Sequence, residues 1–149
     1  MPTYTCYTAQ GKLTAEEKKE LADWLTTVYF EEFGLKRYMT QVIFFEVAKD
    51  DRYIAGKHAR PDLVWIRCDV REGRTAEMKA KLLRRIQQGV AKIANVPEEA
   101  VWTYFDDIRP ENIMEWGHIM PPLHDAMPND DTWLKELSDP FKKYVLELA

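Results

Sequence analysis

Cysteine is nearly absent: Cys6 and Cys68 are the only two among 149 residues, too few for a disulfide framework, and no CxxC or Cys/His spacing suggests zinc. No apolar run approaches the roughly 20 residues of a membrane-spanning helix. An excess of positive charge is also missing. Lys and Arg number 21 against 25 Asp and Glu, giving a net charge of −4. The charges are interspersed, so there is no basic stripe of the kind nucleic-acid binding requires. Six Gly and eight Pro are too few for a collagenous or low-complexity chain. The opening residues MPTYTCYTAQ lack the cationic and apolar regions of a secretory signal, and a cytoplasmic protein is expected. What is there is 46% hydrophobic and 31% charged sequence of a length suited to one domain with a full core.

The chain reads as strand, helix, strand, and then the same again. TYTCYTA is a short β-rich run, and Thr14 to about Phe33 follows with Leu21, Trp24, Leu25, Val28 and Phe33 at helical spacing. Thr14 with Glu17 three residues later is a capping-box signature, and Gly34 is placed to end the helix. Tyr38 to Val47 is apolar on both alternations and predicts a strand buried on two faces. Ala48 to Pro61 reads as a polar loop. The second copy runs through LVWIRCDV, a helix from Thr75 to about Ala94 and a strand from Ala100 to Phe105.

A single offset of 61 residues relates the copies. It places Thr14-Ala15-Glu16 on Thr75-Ala76-Glu77, Lys18 on Lys79, Leu21 on Leu82, Leu25 on Ile86, Leu35 on Val96 and Phe44 on Phe105. The same offset sets Pro2 opposite Leu63, and Cys6 and Cys68, 62 apart, on opposite sides of their strands. Each copy is then a β-α-β unit joining parallel strands. The expected fold is α+β: tandem β-α-β units forming a four-stranded mixed sheet with two helices on one face. The halves span about 1–60 and 61–108 of a single domain, with a C-terminal extension over 109–149. That extension predicts two short helices, Asp131 to Leu137 and Asp139 to about Leu148, the latter with Asp139 as N-cap and Pro140 at the first position. Nothing in the two units covers the second sheet face, and a symmetric oligomer is the simplest cover.

Few residues stand out chemically. Pro2 follows the initiator Met1, which is normally removed before a small residue; removal leaves a secondary amine able to act as acid or base near neutrality. Otherwise Pro2 simply begins a strand. Arg71 and Arg74 flank Glu72-Gly73 where a strand passes into a helix, forming either a carboxylate clamp or a solvated turn. Tyr104 lies in the last strand. Glu115, between Met114 and Trp116, is either a carboxylate that activates water or a surface glutamate on a short helix. His58, His118 and His124 share no metal-ligand spacing, although His118 could border a site at Glu115.

Together, the N-terminal proline, the duplicated β-α-β unit, Arg71-Glu72-Gly73-Arg74, the Trp102-Thr103-Tyr104-Phe105 strand and Met114-Glu115-Trp116-Gly117 resemble the tautomerase superfamily. Within it the chain is most similar to the cis-3-chloroacrylic acid dehalogenases and their homologues. The resemblance implies a cofactor-independent homotrimer with no metal, in which Pro2 is the acid or base. Arg71 and Arg74 would bind a small carboxylate substrate, and Tyr104 with Glu115 would activate water. It implies tautomerisation of a 2-keto/enol acid, or hydration or dehalogenation of a 3-substituted acrylate. One departure stands out: counting from the proline, Tyr29 falls where the dehalogenases carry a substrate-binding histidine, which weakens the expectation of dehalogenation and leaves Tyr29 either to bind a larger or enolic substrate or simply to pack. The alternative expectation is a trimeric non-catalytic binding or signalling protein with a vestigial site.

Overall fold

A computed structural model describes residues 2–123 and 132–148. β1 (Thr3–Ala9) leads into α1 (Ala15–Phe33) and back to β2 (Gln41–Val47), and β5 (Val64–Arg71), α2 (Ala76–Ala94) and β6 (Val101–Ile108) repeat the path. The sheet order is β2-β1-β5-β6, with β1 parallel to β2, β5 parallel to β6 and the two units joined antiparallel through β1 and β5. Both helices pack on one face, where Tyr4 and Cys6 of β1 and Val64, Ile66, Cys68 and Val70 of β5 meet Leu21, Leu25, Val28, Leu82, Ile86 and Val90. The expected four-stranded mixed architecture is the one observed.

Local chemistry sets the helix ends. The Thr14 side chain accepts from Glu17 N at 3.1 Å while the Glu17 carboxylate accepts from Thr14 N at 2.8 Å, satisfying two otherwise orphaned donors. Gly34 closes α1 at φ 67°, and Asn95 closes α2 in the same left-handed region. The helices meet at Gly89, where an added Cβ would lie 1.8 Å from Nε1 of Trp24. Arg85 bridges the same seam to Glu31 and Glu32, at 2.6 Å each.

Several boundaries differ from the sequence reading. Tyr38 is not in a strand: Arg37–Met39 form a 3₁₀ turn before β2. The outer side of β2 is exposed, because Ile43 and Phe45 face away from the helices at the sheet's edge. The last strand starts at Val101 and runs on to Ile108. The stretch read as a loop holds a 3₁₀ turn, Lys49–Asp51, and a hairpin of β3 (Tyr53–Ile54) and β4 (Lys57–His58). Its counterpart comprises a 3₁₀ turn at Pro110–Asn112 and the β7 (Met114–Glu115) and β8 (His118–Ile119) hairpin. Each hairpin turns through two left-handed residues, Ala55-Gly56 and Trp116-Gly117, which is why a glycine stands second in both.

Cys6 and Cys68 do not face opposite sides; both are fully buried on the helix face. The turn from β5 into α2 has one residue fewer than the turn from β1 into α1, so the strands correspond at an offset of 62 while the helices, β2 with β6, and the hairpins keep 61. The counterpart of Pro2 is therefore Val64 rather than Leu63. In the C-terminal segment, Thr132–Glu136 form a 3₁₀ helix and α3 runs over Asp139–Glu147. Ser138 rather than Asp139 occupies the N-cap, and Pro140 is the second helical residue. Leu134 and Val145 close a small core on Tyr38, against Trp116 and Leu137. Asp131 and His124 lie outside the described residues. Among the described residues no helix is long and apolar enough to cross a membrane.

The outer sheet face carries an aromatic row across all four strands. Phe45 and Tyr7 stack at 5.3 Å, Tyr7 and Trp65 at 4.7 Å, and Trp65 meets Tyr104 edge-on at 5.4 Å.

Candidate active site

The turn from β5 into α2 buries two cations. Gly73 sits at φ 119°, a conformation that strains any residue with a Cβ, and a Cβ there would also press to 3.1 Å from the Leu123 side chain. Thr75 caps α2 by accepting from Met78 N at 3.2 Å. Between these constraints Arg71 is 6% exposed and Arg74 9%. Arg71 donates from Nη1 to the Pro121 carbonyl, and Arg74 from Nη1 to the Arg71 carbonyl, each at 2.6 Å. Their Nε atoms are enclosed and find no acceptor among the described residues. No carboxylate of the described residues comes within ion-pair distance of either guanidinium. Burial, and secondarily the Arg74 charge, lower the Arg71 pKa from its ordinary value. Buried charge of one sign with no ion-pair partner among the described carboxylates favours an anionic ligand.

Helix α1 supplies the wall behind these cations. Tyr29 is 1% exposed, and burial raises its phenol far above the usual range, so it stays neutral. The Arg74 Cζ lies 5.1 Å from the Tyr29 ring centroid and 4.5 Å from that of Phe33. Tyr4 meets Tyr29 edge-on at 6.3 Å.

Pro2 is buried, and its carbonyl accepts from Gln41 N at 3.0 Å. Strand alternation puts Pro2 on the face of Tyr4, and extending the β1–β5 register by one residue sets it beside Val70, next to Arg71. Glu115 stands in a hairpin rather than on a short helix, opposite His118. The Glu115 charge reaches both Arg71 and Tyr29. His118 thus borders Glu115 across the hairpin, with Nδ1 3.6 Å from a Glu136 carboxylate oxygen.

Tyr104 stands apart. It pairs with Arg67 in the sheet, projects from the outer face and is 53% exposed. One chain therefore groups Arg71, Arg74, Tyr29 and Glu115 at one end of the sheet, with Pro2 at the adjoining strand end and Tyr104 on the opposite face. Phe33 is the neighbour that sequence reading assigned only to the core. Its spacing of four from Tyr29 on a helix was the available signal, but the arginine it meets comes from another element. Among the described residues no group of three or more His, Cys, Asp or Glu side chains is placed to hold a metal.

A duplicated β-α-β sheet with an arginine pair at the second strand-to-helix turn defines a tautomerase-type protein. The chain belongs to the tautomerase superfamily, in the family described as "Putative oxalocrotonate tautomerase enzyme", whose model matches residues 1–136. Among solved structures it is similar to N1, a member of the cis-3-chloroacrylic acid dehalogenase family. The two are 32% identical with a TM-score of 0.83, over 97% of this chain and 99% of that one. It also shares its fold with Pt0534, solved as inactivated by 2-oxo-3-pentynoate (24% identity, TM-score 0.72, 79% and 94% coverage). Native fused 4-OT is similar in fold too (22%, 0.73, 78% and 94%). No curated protein matches the chain.

Proposed function

We propose that this protein is a cofactor-independent acid–base enzyme that uses the amine of Pro2, freed by removal of Met1, on a small carboxylate substrate. The observation that carries the reading is the pair of buried guanidiniums, Arg71 and Arg74, with no carboxylate of the described residues within ion-pair distance. In this reading they bind the substrate carboxylate and hold the adjacent carbons at Pro2. The favoured reaction is tautomerisation of a 2-hydroxy enol acid to the 2-oxo acid. The neutral amine accepts the enol O–H proton, the carbonyl forms as the C=C electrons move to C3, and the ammonium returns the proton to C3. Two nearby cations lower an amine pKa, which supports the neutral form. If the amine is instead protonated, it delivers its proton to the α-carbon of an acrylate while Glu115 assists attack of water on the β-carbon.

The exposed aromatic row on the outer sheet face supports a homotrimer, and structures titled as fused 4-OT trimers are related in fold. In such an assembly Tyr104, separated from Glu115 in its own chain, would serve the site of a neighbouring copy. Tyr29 stays neutral where a cation would aid halide chemistry, which favours tautomerisation over dehalogenation.

The test uses phenylpyruvate enol with protein whose intact mass confirms loss of Met1. Pro2→Ala is expected to lower turnover by roughly 10²–10⁴-fold and Arg74→Ala to abolish carboxylate-dependent turnover. Incubation with 2-oxo-3-pentynoate should add one inhibitor mass to the N-terminal peptide. Full rates in both variants would refute the mechanism. NMR titration of the Pro2 amine separates the two chemistries: a pKa below ~7 assigns base chemistry and one above ~8 acid chemistry. A trimer that turns over no substrate would be the non-catalytic binding protein instead.

A further inference from the structure

Arg74 presents an unusual solution to the burial of a cation. A guanidinium nine-tenths withdrawn from water ordinarily acquires a carboxylate partner, and none of the described carboxylates is within ion-pair distance of it. What faces it instead is the Phe33 ring at 4.5 Å, the Tyr29 ring at 5.1 Å and the Arg71 carbonyl at 2.6 Å. Tyr29 and Phe33 are four apart on the last turns of α1, and their rings meet at 4.8 Å and 67°, forming a corner with two walls.

We propose that Phe33, together with Tyr29, is a positioning residue that holds Arg74 by π faces and so keeps its positive charge available to the substrate carboxylate. This rests on the reading of Arg74 as a carboxylate-binding residue. The physical reason is a division of labour within the guanidinium. Attraction to a ring uses the face of the planar cation, whereas hydrogen bonds to a carboxylate use its edges. A protein carboxylate would fix Arg74 equally well but would occupy those edges and cancel the charge that recruits the substrate. Two aromatic walls orient the group without neutralising it, and of its edge donors only Nη1 is bonded, to the Arg71 carbonyl. The corresponding positions of the other repeat are Val90 and Ala94, with Leu13 at the position of the arginine, so the aromatic pair occurs only in the repeat that carries the cation.

The test compares Phe33→Leu, which keeps apolar volume without a π face, with Phe33→Tyr, which keeps the face. Benzoate, an inert carboxylate, is titrated by calorimetry at fixed salt into wild type, each Phe33 variant and Pro2→Ala. Phe33→Leu is expected to weaken benzoate roughly 3- to 30-fold and to raise KM by a similar factor, with kcat within about twofold. Phe33→Tyr should stay within about threefold of wild type. If Phe33→Leu fails to fold, Phe33→Met makes the same comparison. Wild-type affinity in Phe33→Leu would overturn the proposal, and so would an equal loss in Phe33→Tyr, since that marks simple packing. Wild-type protein that binds no benzoate would overturn it as well. Failure of the Pro2 mechanism looks different: wild-type and Pro2→Ala proteins would bind benzoate through a Phe33-dependent site while neither shows turnover.

Discussion

Replacing Gly89 with alanine sets two energies of opposite sign against each other. Gly89 lies inside α2, where alanine is favoured over glycine by about 1 kcal/mol. Its new methyl would stand 1.8 Å from Nε1, 2.2 Å from Cε2 and 2.7 Å from Cδ1 of Trp24. Ordinary carbon contacts are near 3.5–4.0 Å, so the indole or the helix must move by about 2 Å, and the Arg85 guanidinium over the ring leaves little freedom. Overpacking of this kind costs about 1–3 kcal/mol, and so much overlap belongs at the upper end. The net expectation for Gly89→Ala is a loss of about 1–2 kcal/mol, a fall of roughly 0.5–1 M in the urea midpoint at a typical slope. In a Trp24→Leu background the overlap disappears and the same substitution should stabilise by up to about 1 kcal/mol. Trp24 shares α1 with Tyr29 and Phe33, so Gly89→Ala should also weaken the carboxylate binding proposed for Arg74. A raised midpoint for Gly89→Ala in the wild-type background would refute the packing argument.

Burial raises the Cys6 and Cys68 thiols to about 12. The unfolded chain loses these protons from about pH 9 and the folded chain retains them, so stability should fall between about pH 9 and 12 by ~1.4 kcal/mol per pH unit for each thiol. Tyr4 and Tyr29, also raised by burial, add to the slope at its alkaline end. Urea unfolding at pH 8 and 10.5 measures this, and a Cys6→Ala/Cys68→Ala variant should show a flatter dependence. The same thiols should resist alkylation at pH 8 until the protein unfolds. Removing the reciprocal cap with Thr14→Ala should cost about 1–2 kcal/mol, more than Thr75→Ala, which loses one side-chain bond. A charge at the centre of the aromatic row, Trp65→Glu, should shift sedimentation towards a single chain while far-UV circular dichroism is preserved.

Those features set by neighbours in sequence are legible in the sequence itself. Thr14 with Glu17 and Gly34 announced both ends of α1, since a cap is made within four residues of itself. The Arg71-Glu72-Gly73-Arg74 turn was legible as a turn for the same reason. The two hairpins escaped because a two-residue strand has no periodicity, although Ala55-Gly56 and Trp116-Gly117 at the repeat offset carried the signal. A single offset for the whole unit puts Cys6 and Cys68 on opposite faces, whereas both lie on the helix face. A turn shortened by a single residue reverses strand parity and leaves helix register untouched. Phe33 at Arg74 was invisible because the meeting depends on how α1 crosses the β5–α2 turn, which no local pattern encodes.

The two ends of the sheet are geometrically alike and chemically unlike. Where the second repeat carries Arg71, Arg74 and Glu115, the first carries Ala9, Leu13 and Ile54, and opposite Tyr29 stands Val90, fully buried. In an assembly of identical half-length chains every substitution would occur at both ends, and cohesion and reactivity would have to be served by one set of side chains. Joining the halves in one polypeptide removes that constraint. One end is free to bury uncharged side chains, Leu13 and Val90, while the other holds two guanidiniums out of water on a copy of the same scaffold.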